Sequence, residues 1–343
     1  MSPKTAPRTK HHREDVTLKD IAEAVGKSVA AVSRALNNYN DISPETREYI
    51  KRVAREMGYA PSETLGFILP TVSPRASDPF FVELITSITC AATQQGFDLL
   101  VSTCPPGNDE NWSYLRLINS RRVDGIIVSQ PRPRDARIQL LLEKQFPFVV
   151  IGSTSLPGVD LSVSENEAQG AQLAVEHLVE QGHQKIALIN TPASMFFSLN
   201  FLTGFRDALD RAGLTPNEEI IVNAEDCSQK AGYNIAQTLL SRAELPSAIV
   251  VADDVTALGV MAAIQDQGLE VGNDVVVTGY GDILLSEFAQ PPLTTVHRST
   301  DTLGQTACNM LIARLRGDTT EPQHVVLEPS LVIRQSSDLA LWL

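Results

Sequence analysis

The chain has 343 residues, 43% of them apolar and 20% charged, an ordinary composition for a folded protein of two or three domains. No run of about 18 apolar residues occurs, which argues against a membrane partner. The polar, basic N-terminus lacks the apolar stretch of a secretory signal. The four cysteines form no closely spaced pair, which argues against a zinc knuckle or a disulfide framework and favours a cytoplasmic location.

The net charge of −13 conceals an uneven distribution. Residues 1–61 carry 11 Lys or Arg against 8 Asp or Glu, whereas residues 62–343 carry 17 against 33. A small basic N-terminal part therefore precedes a large acidic part, and only the first part has a charge that favours nucleic acid.

Taken in chain order, the first predicted elements are three short helices between residues 17 and 58. Thr17 caps the first helix, Gly26 breaks it, and Ser28 caps the second. Pro44 stands at the first position of the third helix, which tolerates proline. A helix, a glycine turn, a short helix, a loop and a third helix form the layout of a helix-turn-helix domain. A plain three-helix bundle with a charged outer face fits the same periodicity.

The second of these helices carries side chains that suit DNA. In a helix-turn-helix domain this helix enters the major groove by its N-terminal residues. Arg34 can bond guanine through two N–H groups, and the small side chains of Val29 and Ala30 can touch thymine methyl groups. Ser28 and Ser33 can reach phosphates. This face predicts double-stranded DNA as a partner.

Beyond residue 64, short apolar runs alternate with amphipathic stretches. Strands are predicted over residues 65–69, 97–102, 125–128, 148–151, 185–189, 248–251 and 275–278. Helices are predicted near residues 80–95, 109–121, 166–181, 201–212, 229–242 and 254–267. Such alternation is typical of parallel sheets covered on both faces. It predicts an α/β body of two doubly wound subdomains, with a ligand cleft at the carboxyl ends of the strands.

The sequence gives little support for catalysis. It contains no GxSxG, HExxH or CxxC pattern and no GxGxxG after a predicted strand. His177 and His183 are six residues apart and do not share a helix face, so they do not predict a metal site. Asp253 and Asp254 favour a helix cap with a polar cleft contact over a catalytic pair. We therefore expect a protein that is not an enzyme and needs no cofactor or metal.

Residues 16–37 resemble the headpiece of the LacI/GalR family of transcriptional regulators, and residues 43–47 and 58–61 continue the resemblance. The rest of the chain is similar to the body of that family and to periplasmic sugar-binding proteins. Motifs that carry this similarity lie at residues 78–81, 123–127, 177–178 with 182–183, 257–259 and 291–295.

The resemblance implies an order of domains. They are a disordered basic tail (1–16), a helix-turn-helix DNA-binding domain (17–61), a shortened linker (62–64) and an effector-binding and dimerisation domain (65–343). Family members cross three times between the two subdomains of the body. The implied crossings lie near residues 151–164, 281–290 and 325–332.

The resemblance also implies a function. The protein would be a cytoplasmic repressor that binds a pseudo-palindromic DNA operator as a homodimer or tetramer and responds to a small-molecule effector, a carbohydrate, in the cleft. The implied DNA contacts are Thr17, Leu18, Ser28, Val29, Ala30, Ser33, Arg34, Asn37 and Tyr59. Two alternatives are a regulator with a decayed effector site and a solute-binding or sugar-processing protein on the same body.

The joint between head and body departs from the family pattern. Family members place a hinge helix there, and its leucine wedges into the central base step of the minor groove. Here Pro61 is followed by three residues before the strand that starts at Leu65, so the hinge helix and its leucine are missing. Two origins fit this sequence: a natural protein without the element, or a chain that has lost a segment. We expect weaker kinking of the DNA and weaker coupling between effector and operator.

The cleft also departs from the pattern of sugar-binding family members. Phe201 stands where those proteins usually present an arginine, and Cys227 where an aromatic residue stacks on the sugar. Gly281 replaces the first aspartate of their Gly-Tyr-Asp-Asp motif. Sugar hydroxyls favour a planar arginine or a carboxylate, and the sugar ring favours an aromatic face. The sequence therefore favours a less hydroxylated ligand, or none, over a conventional hexose.

Several side chains remain to line such a cleft. The predicted effector-binding residues are Asp78, Phe80, Phe196, Phe201, Asp253 and Asp282. Ordinary core packing accounts for the phenylalanines at 196 and 201 equally well.

Overall fold

The computed structural model describes residues 16, 18–36, 42–57, 62–70, 78–104, 110–317 and 324–338. In these ranges, no helix has both the length and the apolar character that a membrane span requires. Residues 1–15 of the predicted basic tail (1–16) lie outside the described part of the chain.

Three helices form the N-terminal unit, which we call the head. They are α1 (Leu18–Val25), α2 (Val29–Leu36) and α3 (Pro44–Glu56). Gly26 has a φ of 63°, which glycine adopts without strain, and it ends α1 as predicted. Ser43 caps α3 by accepting a hydrogen bond from the Thr46 N–H at 3.3 Å. Ile21, Val32 and Ile50 come one from each helix and are fully buried, so the head has a small core of its own.

The first α/β unit, lobe 1, contains a six-stranded parallel sheet. In spatial order its strands are β11 (His324–Leu327), β5 (Ser162–Glu165), β4 (Phe148–Ile151), β3 (Gly125–Ser129), β1 (Thr64–Pro70) and β2 (Asp98–Cys104). Its helices are α4 (Pro79–Gln94), α5 (Glu110–Asn119), α6 (Ala136–Glu143) and α12 (Thr300–Arg316). α12 packs closely on α4, where Ser87 Oγ donates to the Asp301 carbonyl at 2.6 Å.

The second unit, lobe 2, repeats this arrangement. In spatial order its strands are β12 (Ser330–Val332), β10 (Thr294–His297), β9 (Val276–Gly281), β8 (Ala248–Val251), β6 (Ile186–Asn190) and β7 (Ile221–Asn223). Only the β10–β12 pair is antiparallel. Its helices are α7 (Glu167–Glu180), α8 (Phe196–Arg211), α9 (Gln229–Leu240), α10 (Asp254–Asp266) and α11 (Leu284–Phe288). The prediction of a head followed by two doubly wound α/β subdomains is confirmed.

The first crossing between the lobes lies later than predicted. Residues 162–165 form β5 and pair with β4 in lobe 1, and α7 then packs on lobe 2. The crossing therefore follows Glu165, and its placement near 151–164 is wrong. The polar sequence of β5 gave no apolar run from which a strand could be predicted.

The second crossing is also later than predicted. Residues 281–290 lie within lobe 2, because β10 follows them in that lobe's sheet. The chain leaves lobe 2 between His297 and Thr300, where β10 ends and α12 begins. The placement near 281–290 is therefore wrong. The third crossing lies between Leu327 and Ser330, the end of β11 and the start of β12.

The joint between head and lobe 1 is short and fixed at its end. Ser62 Oγ donates to Asp124 Oδ2 at 2.9 Å, and the Thr64 N–H donates to the same oxygen at 3.2 Å. Glu63, between them, has a φ of 44°, which is uncommon for a residue with a side chain. Between the end of α3 and the start of β1 the structure describes residues 57, 62 and 63, and none of these three is helical.

Candidate functional site: an interlobe cleft and a helix-turn-helix surface

A cavity opens between the two lobes at the carboxyl ends of their strands. It encloses about 750 Å³, part of it open to solvent. Polar residues that end or follow a strand line it from both lobes: Gln130 after β3, Ser153 after β4, Glu165 in β5, Thr191 after β6, Asp253 after β8 and Arg298 after β10. Apolar side chains, including Ile151, Met195 and Leu303, fill the spaces between them. This position and this mixture of groups are those of ligand sites in α/β proteins.

Arg298 occupies the segment that crosses from lobe 2 to lobe 1. Its guanidinium carbon lies 4.8 Å from the ring centre of Phe80, 5.5 Å from that of Phe197 and 4.9 Å from that of Tyr280. Its Nε lies 3.8 Å from Glu165 Oε2. The cation is therefore held by the faces of three aromatic rings and by one carboxylate.

Glu165 ties the two lobes together. Its carboxylate accepts hydrogen bonds from the Tyr280 hydroxyl at 2.9 Å and from the Ser299 N–H at 2.6 Å. Burial raises the pKa of Glu165, and the positive charge of Arg298 opposes that rise. Both carboxylate oxygens are thus engaged within the protein.

Glu167 makes a second connection across the cleft. It accepts hydrogen bonds from Ser153 Oγ of lobe 1 at 3.0 Å and from Asn200 Nδ2 of lobe 2 at 3.1 Å. Burial raises the pKa of Glu167 above its ordinary value, against the hydrogen bond from Asn200. Like Glu165, this carboxylate is occupied by protein donors.

Two aspartates face the cavity from opposite lobes, each as the N-cap of a helix. Asp78 Oδ1 accepts a hydrogen bond from the Phe80 N–H at 3.0 Å, at the start of α4. Asp253 Oδ1 accepts one from the Thr256 N–H at 2.9 Å, at the start of α10. Burial, followed by the negative charge of Asp78, raises the pKa of Asp253 to about 7. Asp253 is therefore poised to bind a proton or a hydrogen-bond donor near neutral pH.

Asp254 plays a different part from its neighbour. It is 1% exposed, and its carboxylate accepts hydrogen bonds from Thr295 Oγ1 at 2.6 Å, Ser286 Oγ at 2.8 Å and the Ile283 N–H at 3.0 Å. Asp254 is an interior group that joins α10 to the segments around β9 and β10, and it does not line the cavity.

Three of the six predicted effector-binding residues line the cavity, namely Asp78, Phe80 and Asp253. The other three do not line it, and their role in effector binding stays a prediction. Phe201 is fully buried in the core of lobe 2, where it stacks on Phe197 at 5.5 Å. Asp282 binds Arg334 at 2.7 Å and His297 at 3.0 Å, away from the cavity. Phe196 directly precedes the lining residue Phe197 in α8 and is not among the residues that line the cavity.

Sequence reasoning missed the polar residues Glu165, Glu167, Thr191 and Arg298. The signal that could have found Arg298 is its position directly after a strand that ends in Thr-Val-His, since parallel strands present their carboxyl ends at one edge. Neither β10 nor β5 was among the predicted strands, so neither Arg298 nor Glu165 was placed at the end of a strand.

The helix-turn-helix surface is formed by the outer face of α2. Ser28 Oγ accepts a hydrogen bond from the Ala31 N–H at 3.1 Å, which caps the helix. Val29 is 43% exposed, unusual for an apolar side chain, and Ala30 and Arg34 are exposed beside it. The Arg34 Nε donates to the Ala30 carbonyl at 3.4 Å, so its guanidinium lies along this face.

Of the five remaining predicted DNA contacts, the structure describes only the side chain of Leu18. Leu18 packs partly against the core of the head, and only its partly exposed surface faces outward. Thr17, Asn37, Tyr59 and the side chain of Ser33 lie outside the described residues. Within the part of the chain that the structure describes, no cluster of His, Cys, Asp and Glu side chains has the geometry of a metal site.

Comparison with known proteins finds matching families for the helix-turn-helix head and for the region of the lobes. Residues 17–62 match the model of bacterial regulatory proteins of the lacI family, and residues 175–337 match that of a periplasmic binding protein-like domain. The chain is 30% identical to the HTH-type transcriptional regulator CelR of Thermobifida fusca, over 94% of this chain and 99% of CelR.

Two solved structures of transcriptional regulators are similar to this chain over most of its length. A transcriptional regulator CelR–cellobiose complex superposes with a TM-score of 0.75 at 30% identity, covering 94% of this chain and all of that one. A lac repressor dimer bound to operator and an anti-inducer superposes with a TM-score of 0.71 at 30% identity, covering 94% of this chain and 99% of that one.

Proposed function

The chain belongs to the lacI family of bacterial transcriptional regulators, and on that premise we propose that it is a cytoplasmic repressor. It binds a pseudo-palindromic operator through two heads and binds a small effector in the cleft. The observation that carries this proposal is the exposed face of α2, where Val29, Ala30 and Arg34 stand outward on a head with its own buried core.

The DNA-binding part is tested by fluorescence anisotropy with duplex fragments that flank the protein's own gene. We expect a sequence-preferring complex whose affinity falls steeply with salt, since phosphate contacts release counterions. Arg34→Ala is expected to weaken binding to the preferred fragment by about 1–3 kcal/mol and to relax its specificity. Arg206→Ala, in an exposed ion pair of lobe 2, is the matched control. Equal affinity for all fragments at moderate salt contradicts the proposal.

A homodimer follows from the weak charge of the head and from an apolar surface on lobe 2. The excess of basic over acidic residues in residues 1–61 is small, so one head alone supplies little electrostatic affinity. Leu284, Leu285 and Phe288 project from α11 with exposures of 74%, 52% and 69%, and such apolar patches mark interfaces. We propose that a second copy of the chain covers this surface, and the lac repressor of the similar solved structure is itself a dimer.

The dimer is tested by sedimentation velocity. Phe288→Asp is expected to shift the chain from dimer to monomer, because it places a charge in an apolar contact. Glu287→Gln, which removes a charge from the same helix, is the control. A monomeric wild-type chain at micromolar concentration contradicts the proposal.

The effector part is supported by the cavity itself. Its lining combines fixed polar groups from both lobes with apolar side chains, so a bound ligand would contact both lobes and favour one separation of them. A decayed effector site is the second candidate, favoured by Phe201 and Cys227 in place of the usual sugar contacts. Calorimetry against a metabolite panel separates the two, since any saturable ligand removes the second.

The short joint leads to a further proposal about the DNA. The described residues between α3 and β1 contain no hinge helix, and the start of β1 is fixed by Asp124. We infer that the central operator step is kinked less than in relatives with a leucine wedge. A gel-permutation assay measures the bend, and a kink as large as that of a wedge-bearing relative overturns this inference.

A further inference from the structure

We propose that the first turn of α8 is a latch between the lobes, and that Glu167 is the positioning residue that keeps it closed. The latch consists of two hydrogen bonds. The Phe196 N–H of lobe 2 donates to the Pro131 carbonyl of lobe 1 at 3.0 Å. Ser153 Oγ of lobe 1 donates to Glu167 Oε2 of lobe 2 at 3.0 Å. The effect of the latch on DNA binding rests on the proposed function, in which a ligand acts through the separation of the lobes.

The bond to Phe196 gives α8 a cap that comes from the opposite lobe. The first N–H groups of a helix have no partner within that helix. In α4, α6, α7, α9 and α10, the side chain of the preceding residue accepts a hydrogen bond from one of them. The side chain of Met195 does not cap α8, and the carbonyl of Pro131 accepts from its first N–H instead. The start of α8 therefore has this partner only while the lobes are together.

Glu167 is held in place from within its own lobe. It is 6% exposed, and its Oε2 also accepts a hydrogen bond from Asn200 Nδ2 at 3.1 Å. Asn200 lies one turn after Phe196 in α8, so the helix carries both halves of the latch on neighbouring turns. One turn further on, Gly204 lets α8 approach α7 closely, since a Cβ there would clash with the Ala168 carbonyl. The close packing of the two helices fixes the position of the carboxylate.

The lobe 1 side of the latch is fixed as well. Pro131 lies on the loop after β3, where Nη2 of the buried Arg137 donates to the Gln130 carbonyl at 3.0 Å. Ser153 lies on the loop after β4. Gly152, which precedes it, has a φ of 118°, and a Cβ there would clash with Pro131. The two loops therefore pack against each other and present both lobe 1 partners of the latch side by side.

The latch is also part of the wall of the interlobe cavity. Pro131, Ser153 and Glu167 line the cavity, together with Phe197 from the first turn of α8. A ligand changes the separation of the lobes only through contacts that differ between the separations. The two hydrogen bonds of the latch are such contacts, because they join groups of opposite lobes. Glu167 therefore sets the balance between lobe separations on which any ligand in the cavity acts.

The test measures how fast the Phe196 amide exchanges its hydrogen with solvent, because this amide exchanges only when the latch opens. Exchange in the full chain is followed by mass spectrometry, with fragmentation that resolves this amide. The amides of β6, in the core of lobe 2, are followed in the same experiment. Far-ultraviolet circular dichroism establishes that each variant is folded.

Four variants separate the latch from general packing. Glu167→Ala removes the acceptor, and Asn200→Ala removes the amide that holds it, so the second variant carries the test if the first fails to fold. Glu167→Gln keeps an oxygen that accepts from Asn200 and gains an N–H donor for Ser153 Oγ. The matched control is Glu176→Ala, which breaks an exposed ion pair between α7 and Arg211 of α8 within lobe 2.

We expect Glu167→Ala and Asn200→Ala to speed the exchange of the Phe196 amide by at least about tenfold. Glu167→Gln and Glu176→Ala should stay within about threefold of wild type. The amides of β6 should exchange at the wild-type rate in every variant, which distinguishes an open latch from an unstable lobe. Without ligand, Glu167→Ala and Asn200→Ala should shift the Kd for the preferred operator fragment by at least about fivefold in the same direction. Glu176→Ala should leave that Kd unchanged.

Three exchange results overturn the inference: an unprotected Phe196 amide in wild type, wild-type exchange in folded Glu167→Ala and Asn200→Ala variants, and acceleration that extends equally to β6. Faster exchange at Phe196 with an unchanged operator Kd overturns the control of DNA binding by the latch. Loss of sequence-preferring DNA binding by wild type instead removes the proposed function, and the exchange rates then decide the latch alone.

Discussion

The two lobes share one strand order and differ in how they hold a buried carboxylate. In lobe 1, Asp135 is 2% exposed and forms an ion pair with the buried Arg137 at 2.6 Å. In lobe 2, Asp254 is 1% exposed and is held by two hydroxyl groups and one backbone N–H. The same fold therefore stabilises a buried negative charge in one lobe with a cation and in the other with neutral donors.

The difference appears in the pKa of each group. Burial raises the pKa of Asp135, but hydrogen bonds and charge from Arg137 outweigh it and leave the pKa below its ordinary value. Burial raises the pKa of Asp254, and the donors led by Thr295 do not reverse it. Arg137 therefore more than offsets the cost of burying the charge of Asp135, whereas the neutral donors offset only part of that cost for Asp254.

The largest expected effect comes from removing the cation of lobe 1. Arg137→Ala leaves Asp135 buried without a counter-charge, which we expect to cost about 3–5 kcal/mol of unfolding free energy. Urea unfolding followed by circular dichroism measures this. Arg314→Ala, which breaks the exposed pair with Asp160, is the control and should cost less than about 1 kcal/mol. If the two variants lose the same unfolding free energy, the buried ion pair stabilises the protein no more than the exposed one does.

A smaller effect is expected from the carboxylate of lobe 2. Asp254→Ala removes the acceptor of three donors but leaves no charge behind, so we expect a loss of about 2–3 kcal/mol. Asp210→Ala, on the exposed end of α8, is the matched control and should change little. A loss larger than that of Arg137→Ala would reverse the comparison between the lobes.

The smallest effect concerns pH and the neighbouring Asp253. Its pKa is raised from 3.8 to about 7, so its protonated form stabilises the fold fully below 3.8, and that contribution is lost as pH rises through about 7. Wild type should therefore become progressively less stable as pH rises from about 4 to about 7, and this group should add no further change well above pH 7. Asp253→Asn keeps the helix cap and should flatten this dependence. Thermal melts across the range measure it, and an unchanged slope in the variant assigns the dependence to another group.

The head was more predictable than the cleft, for a physical reason. Gly26, Ser43 and Pro44 act through local turn and cap geometry, so the sequence around them predicts the helices they bound. The cleft is assembled from strand ends far apart in the chain, and the short polar strand β5, which delivers Glu165, has no apolar run to mark it.

Arg298 shows most clearly why the cleft was difficult to predict from the sequence. Phe201 stands where an arginine is usual, and this made a sugar ligand look unfavourable from the sequence. In the folded chain a guanidinium reaches the cavity from residue 298 instead, and Phe201 packs behind the ring that holds it. Arg298 and Phe201 come together because the chain crosses between the lobes at Arg298, and the sequence pattern placed that crossing too early.

The central claim is that a ligand bound in the cleft between the lobes controls DNA binding by the head. The most direct measurement is the Kd of the wild-type protein for the preferred operator fragment, by anisotropy, with and without the ligand of the metabolite panel that binds best. The account predicts that this ligand, at a saturating concentration, shifts the Kd for the operator fragment. An unchanged Kd while the ligand is bound contradicts it.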